Sequence, residues 1–344
     1  MVEITLLTFW LFYTCMVCFY LANLRISHRF DSSRCFQSVS LACSLLTISV
    51  SIAFKLHSSA LPGNPHANAA TAALGFILTL KFLELSFAQE WIYTRAMPLK
   101  LVLIYLITFP RMPESIVNLA KWPTGHVRYH SMETLLKGIA EYCILRIVLS
   151  PIPTEWLSIS SISLSPAVRL FRYGLLCIVL YLLLTFCLNI MFGLAGLVFN
   201  AQMNPMFPAF PLTATSLRDF WSYRWNNYVK SSLHRISFLV APKLLSPVMT
   251  MNKKASGLFA SALSGLFHEY IAWFITNRWS GKNMIFFLLQ GLLVRLEIAM
   301  KLPSRPATLT GKFLGWLWTL AIILVTSPLF FDPWIEAGLF INLK

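Results

Sequence analysis

Acidic residues are scarce. Asp and Glu together number 13 in 344 positions, and the aspartates are Asp31, Asp219 and Asp332 alone. Enzymes that hold a diphosphate through magnesium need clustered carboxylates, so this shortage argues strongly against a membrane prenyltransferase. Charge of either sign is also rare, at 12% of residues against 57% hydrophobic, where a soluble domain carries about a quarter charged. The net charge of +15 is spread through loops without a dense basic tract, which excludes a nucleic-acid partner. There is no internal repeat, no low-complexity tract and no hydrophilic stretch long enough for an extramembrane domain. Of the seven cysteines, Cys15, Cys18, Cys43, Cys143, Cys177 and Cys187 fall in apolar runs and Cys35 in a loop, so no disulfide framework is implied. Cys15 and Cys18 have CxxC spacing but no further ligand nearby, and read as packing residues with no metal site.

What is there is a series of apolar windows long enough to cross a hydrocarbon core of roughly 30 Å. They run Ile4 to Leu24, Phe36 to Phe54, Ala67 to Phe87, Thr134 to Leu149, Val168 to Phe199, Ala255 to Ile275, Asn283 to Met300 and Lys312 to Phe331. The first has no basic residues before it and no small-residue cleavage site after it, which predicts a retained helix. Pro98 to Phe109 and Ile236 to Met249 are shorter or broken by Pro242 and Pro247, which suits interfacial or re-entrant helices. The pattern predicts an all-α, polytopic integral membrane bundle of about eight transmembrane helices, in one domain over residues 1–344. Lys and Arg crowd the loops after the first, third, fifth and seventh windows, while Lys55, Arg278, Lys282 and Lys344 lie on the other side. This asymmetry places residues 200–254 in the cytosol and both termini opposite, with Arg169 and Arg172 running against it.

Polar residues within spans are expensive, so each needs a partner or a function. Lys81 and Glu84, three apart, and Lys137 and Glu141, four apart, fit pairing along one helix face, and Arg295 and Glu297 fit snorkelling near a span end. His268 lies too deep to snorkel, on a stripe with Ser261, Ser264, Gly265 and Ala272 that leaves room beside the imidazole. Such a stripe equally suits a close helix contact with the histidine hydrogen-bonded across it. Glu269 points about 100° away and is a poor orienting partner.

The segment Ser216-Leu217-Arg218-Asp219-Phe220-Trp221-Ser222-Tyr223-Arg224-Trp225-Asn226-Asn227 is aromatic and basic. Ser216 can cap a helix with Asp219 in its first turn and Trp221 and Trp225 on one face. By pattern alone this helix could also rest at the bilayer interface.

Ser216 to Asn226 resembles the S-L-x-x-F-W-x-x-R-W segment of the wax-synthase-like branch of membrane-bound O-acyltransferases. Ser264 to Glu269 resembles the S-G-x-x-H-E span segment of that branch, and Pro205 to Pro211 its proline-rich lead-in. The resemblance makes residues 200–275 the motif-bearing region. It implies transfer of an acyl group from acyl-CoA, a cosubstrate and not a bound cofactor, to a lipophilic alcohol, with His268 and Asn226 as the catalytic pair lining a reaction chamber. A neutral imidazole can take the alcohol proton, and Asn226 can donate to the oxyanion or hold a substrate. Trp221, Arg224, Trp225, Asn227 and Ser264 are implied around the substrates; whether Asn226 or its neighbour Asn227 faces the chamber stays open. Arg218, Arg224, Lys230 and Arg235 lie on the side where the donor's phosphates would be, and His234 reads as an interfacial or phosphate-facing residue.

Overall likeness to fungal enzymes that acetylate terpenoid or meroterpenoid hydroxyls favours acetyl-CoA as donor, in secondary metabolism at the endoplasmic reticulum. A long-chain wax ester synthase is the alternative, and a transporter with His268 as proton relay the alternative of another class. Oligomeric state is not legible.

Overall fold

The computed structural model describes residues 11–20, 33–58, 65–87, 124–158, 164–200 and 205–344. The main helices are α1 (Leu11–Tyr20), α2 (Ser33–Ser58), α3 (Pro65–Phe87), α4 (Thr124–Leu149), α5 (Pro166–Phe199), α6 (Lys253–Thr276), α7 (Lys282–Ala299) and α8 (Leu309–Glu336). No strand occurs among the described residues. The protein is an all-α integral membrane protein, with α3, α5, α6 and α8 each long and apolar enough to cross a bilayer. The windows from Thr134 and from Asn283 are helical as predicted, but α4 carries Glu133, Lys137, Glu141 and Arg146, and α7 carries Lys282, Arg295 and Glu297. Those charges keep them below the hydropathy of the other four. The Phe36 to Phe54 window lies in α2. Pro98 to Phe109, and parts of the Ile4 to Leu24 window, lie outside the described residues. Ile236 to Met249 is broken as its prolines suggest, into a π-helical turn at Ile236–Val240 and a short helix at Ala241–Leu245.

The chain divides into two compact units, Met1–Pro113 with Ser231–Trp279 and Glu114–Lys230 with Ser280–Lys344. In the first, α3 packs against α2 and α6. Phe76 of α3 meets Phe267 and Tyr270 of α6 at ring distances of 5.2 and 5.6 Å. Hydroxyls buried in α2 bond back to their own helix, as in Thr47 to Cys43 O at 2.6 Å, because no water is available at this depth. Ser44 instead donates across to Thr79 O of α3 at 3.0 Å. Glu84 of α3 forms a buried ion pair with Arg235. The spacing points to Lys81 as the partner of Glu84, whereas the ion pair seen for Glu84 is with a cation from far along the chain.

The second unit is built on α5, whose 34 residues at 1.5 Å each give about 50 Å, longer than the hydrocarbon core. Gly138 of α4 and Gly193 of α5 let the two helices approach closely. A Cβ on Gly193 would meet Leu135 Cγ at 2.7 Å and Ser131 O at 2.9 Å. Beside this crossing Asn189 Nδ2 donates to Glu141 Oε2 at 2.7 Å, so Glu141 bonds to the neighbouring helix. Arg172 and Arg169, the residues that break the charge asymmetry, donate to the backbone carbonyls of Trp156 and Leu164. Pro328 and Pro333 interrupt the ladder of α8, where the hydroxyls of Thr326 and Ser327 bond to Ile322 O and Ile323 O.

Candidate active site

The aromatic segment in the second unit is not one regular helix. Ser216 accepts from Asp219 N at 2.9 Å, the cap expected from sequence, and opens a single turn at Leu217–Asp219. A π-helical turn follows at Phe220–Arg224, closed by Trp225 N donating to Phe220 O at 2.8 Å. The wider turn still brings Trp221 and Trp225 together, with ring centroids 6.3 Å apart. At Asn226 the backbone enters the left-handed region with φ of 39°, a conformation asparagine tolerates better than most residues. Its Oδ1 accepts from Val229 N at 3.1 Å and so caps the helix Asn227–Arg235, which leaves the side-chain amide group as its donor.

Two buried carboxylates fasten this segment. Asp219, 3% exposed, takes Arg224 Nε on Oδ2 at 2.6 Å and Arg305 Nε on Oδ1 at 2.9 Å. Arg224 also donates to Thr213 Oγ1 at 2.6 Å and Phe210 O at 3.2 Å, so its fork binds the lead-in turn. Arg305 lies over the Tyr223 ring at 3.9 Å, and its hydrogen bond to Asp219 pushes it further toward the charged form. Glu297 of α7 accepts from Leu217 N at 2.9 Å, Arg218 N at 3.0 Å and Trp318 Nε1 at 3.1 Å. The snorkelling predicted for Glu297 is therefore not what it does: it is 3% exposed and bonded inward. Asn227 Oδ1 accepts from Lys230 Nζ, which also reaches Ser222 O at 2.7 Å. Of the four basic residues expected near a phosphate, Arg224, Lys230 and Arg235 are thus engaged with protein groups.

Behind the segment lies a cavity of about 550 Å³, counting space open to the surface. Phe220, Trp221 and Trp225 form one wall, Phe286 and Phe287 of α7 another, Tyr181 of α5 and Phe330 of α8 others. Its lining is almost wholly apolar, which suits hydrocarbon and not a phosphate.

In the first unit His268 sits on α6, half-buried, with Nδ1 2.8 Å from Ser264 O. A carbonyl only accepts, so Nδ1 carries the proton and Nε2 is the basic nitrogen of the neutral ring. Ser264 therefore orients His268 through its backbone. Gly265 and Ala272 of the small stripe are buried, and Glu269 is fully buried. The His234 ring stacks on Phe238 at 4.4 Å. His268 and Ser264 thus belong to one unit, and Trp221, Arg224, Trp225, Asn226 and Asn227 to the other.

Residues 203–289 match the model of the membrane bound O-acyl transferase family. Over 175 residues the chain is 33% identical to the probable long-chain-alcohol O-fatty-acyltransferase 7 of Arabidopsis thaliana, covering 47% of this chain and 50% of that one. In this region the chain is similar to the wax-synthase-like branch of the membrane-bound O-acyltransferases. It is 32% identical over 138 residues to the acyl-CoA–sterol O-acyltransferase 1 of the same plant, covering 39% of each. To the long-chain-alcohol O-fatty-acyltransferase of Simmondsia chinensis it is 29% identical over 133 residues, 37% of this chain and 38% of that one. The chain spans about half or less of the curated relatives it matches. The family match contains both the aromatic segment and His268, and ends just before Gln290 and Glu297, the fastening residues that motif reading missed.

Proposed function

We propose that this protein transfers an acyl group from acyl-CoA to the hydroxyl of a lipophilic acceptor. The observation that carries the reading is the 2.8 Å contact between His268 Nδ1 and Ser264 O, from which we assign Nε2 as the base. Nε2 takes the proton of the alcohol as its oxygen forms a bond to the thioester carbonyl carbon. The tetrahedral oxyanion then collapses, the carbon–sulfur bond breaks, and the thiolate leaves as CoA with the proton returned by the imidazolium. The Asn226 amide is assigned as a donor to the oxyanion or to substrate. The apolar cavity at Trp221 and Trp225 is assigned to substrate hydrocarbon. Arg224 and Asn227, given as substrate residues by the resemblance, act through the shape of the segment.

Acetyl-CoA as donor and a terpenoid or meroterpenoid hydroxyl as acceptor is our finer reading, with the endoplasmic reticulum as location and residues 200–254 cytosolic. A long-chain acyl donor is the second reading, favoured by the names of the relatives. Microsomes carrying the chain, given labelled acetyl-CoA or palmitoyl-CoA with terpenoid, sterol and long-chain alcohols, decide between them. A labelled ester from acetyl-CoA and a terpenoid alcohol supports the finer reading, and one from palmitoyl-CoA alone replaces it. No ester across the panel overturns acyl transfer.

A further inference from the structure

We infer that Glu297 and Gln290 are positioning residues, which fix the register of the aromatic segment and through it the placement of Trp221 and Asn226. The inference rests on the acyl transfer proposed above. The two residues lie seven apart on α7, two turns along one face and about 10 Å from each other. Glu297 holds the start of the segment, accepting Leu217 N on Oε1 and Arg218 N on Oε2. Gln290, 2% exposed, holds its middle: Oε1 accepts from Trp221 Nε1 at 3.1 Å while Nε2 donates to Thr326 Oγ1 at 2.9 Å.

These grips matter because of what lies between and beyond them. The first N–H groups of a helix have no partner within it, so at Leu217 and Arg218 the buried carboxylate supplies the acceptors. The π-helical turn that follows carries one residue more per hydrogen-bonded ring than an α-turn. Its rotation is therefore less determined by its own ladder, and anchors outside it decide which way Trp221 faces and where Asn226 emerges. Each anchor sits on the same rigid helix that supplies Phe286 and Phe287 to the cavity wall. Segment and wall are thereby registered to one element.

Glu297→Gln keeps one acceptor oxygen and loses the other, so one of the two backbone N–H groups is stranded. Gln290→Leu strands the Trp221 indole N–H. Purified protein in nanodiscs is expected to show kcat, per folded molecule, lowered on the order of 10–100-fold in each variant, with KM for acyl-CoA changed by no more than about twofold. Hydrogen exchange at Leu217 and Arg218 should accelerate in Glu297→Gln. Trp318→Phe, which removes only the third donor to Glu297, should keep the parent kcat. In a Trp221→Phe background the Gln290→Leu loss should largely vanish, which tests the claim even if Glu297→Gln does not fold. Unchanged kcat, unchanged exchange, or a Gln290→Leu loss that adds fully to that of Trp221→Phe overturns the inference. A parent that makes no ester sinks the proposed function instead, and exchange at Leu217 and Arg218 still judges the anchoring.

Discussion

Asn226 Oδ1 accepts the Val229 N–H at 3.1 Å, so one residue both turns the chain through the left-handed region and caps the helix after it. The same side chain is our candidate donor to the oxyanion. Asn226→Asp separates the roles, because aspartate caps equally well and tolerates positive φ but has no amide hydrogens. Stability within about 0.5 kcal/mol of the parent is expected. Ester formation should fall by about 10²–10³. Thermal melting and initial rates check both, and full activity in Asn226→Asp removes the amide from the mechanism. Asn226→Ala should in addition lose about 1 kcal/mol of stability with the cap.

Asp219 lies between two guanidinium groups of unequal exposure. Arg224 is largely covered, whereas Arg305 is 51% exposed. Asp219→Ala leaves Arg224 without its counter-ion and should cost about 3–5 kcal/mol. Arg305→Ala should cost far less, since water takes the place of its partner. Melting temperatures of the two variants, measured side by side, test this order.

Gly315 of α8 faces the carbonyl oxygen of Thr215, directly before the Ser216 cap. A Cβ there would lie inside the contact distance of backbone oxygen, which cannot swing away as a side chain can. Gly315→Ala should therefore cost about 1–3 kcal/mol by overpacking and lower the yield of folded protein. Unchanged yield and melting would contradict the close approach.

At the α4–α5 crossing, Asn189→Leu removes the Asn189 hydrogen bond from the buried Glu141 carboxyl and should cost about 1–3 kcal/mol. Glu141→Gln keeps an acceptor for Asn189 and should be much milder. Comparable losses in both variants would show that the bond is not what matters there.

Much of this was legible in sequence. The apolar windows gave the helices, and Ser216 three residues before Asp219 gave the cap. His268 stood out because an imidazole at that depth has nowhere to snorkel. What escaped was the use of groups distant in sequence. Glu297 reads from its place near a span end as a snorkelling residue, and position along one helix cannot reveal partners some 80 residues back at Leu217 and Arg218. The pair Lys81 and Glu84 likewise concealed Arg235, since spacing on one helix cannot reveal a cation arriving from another part of the chain. The π-helical turn at Phe220–Arg224 escaped for a different reason: its pattern of aromatics is the same as that of an α-helix over five residues.

If His268 Nε2 is the base, ester formation by His268→Ala, at matched levels of folded protein and with the best donor and acceptor pair of the parent, should fall by about 10²–10⁴. Ester formation at the parent rate would contradict it.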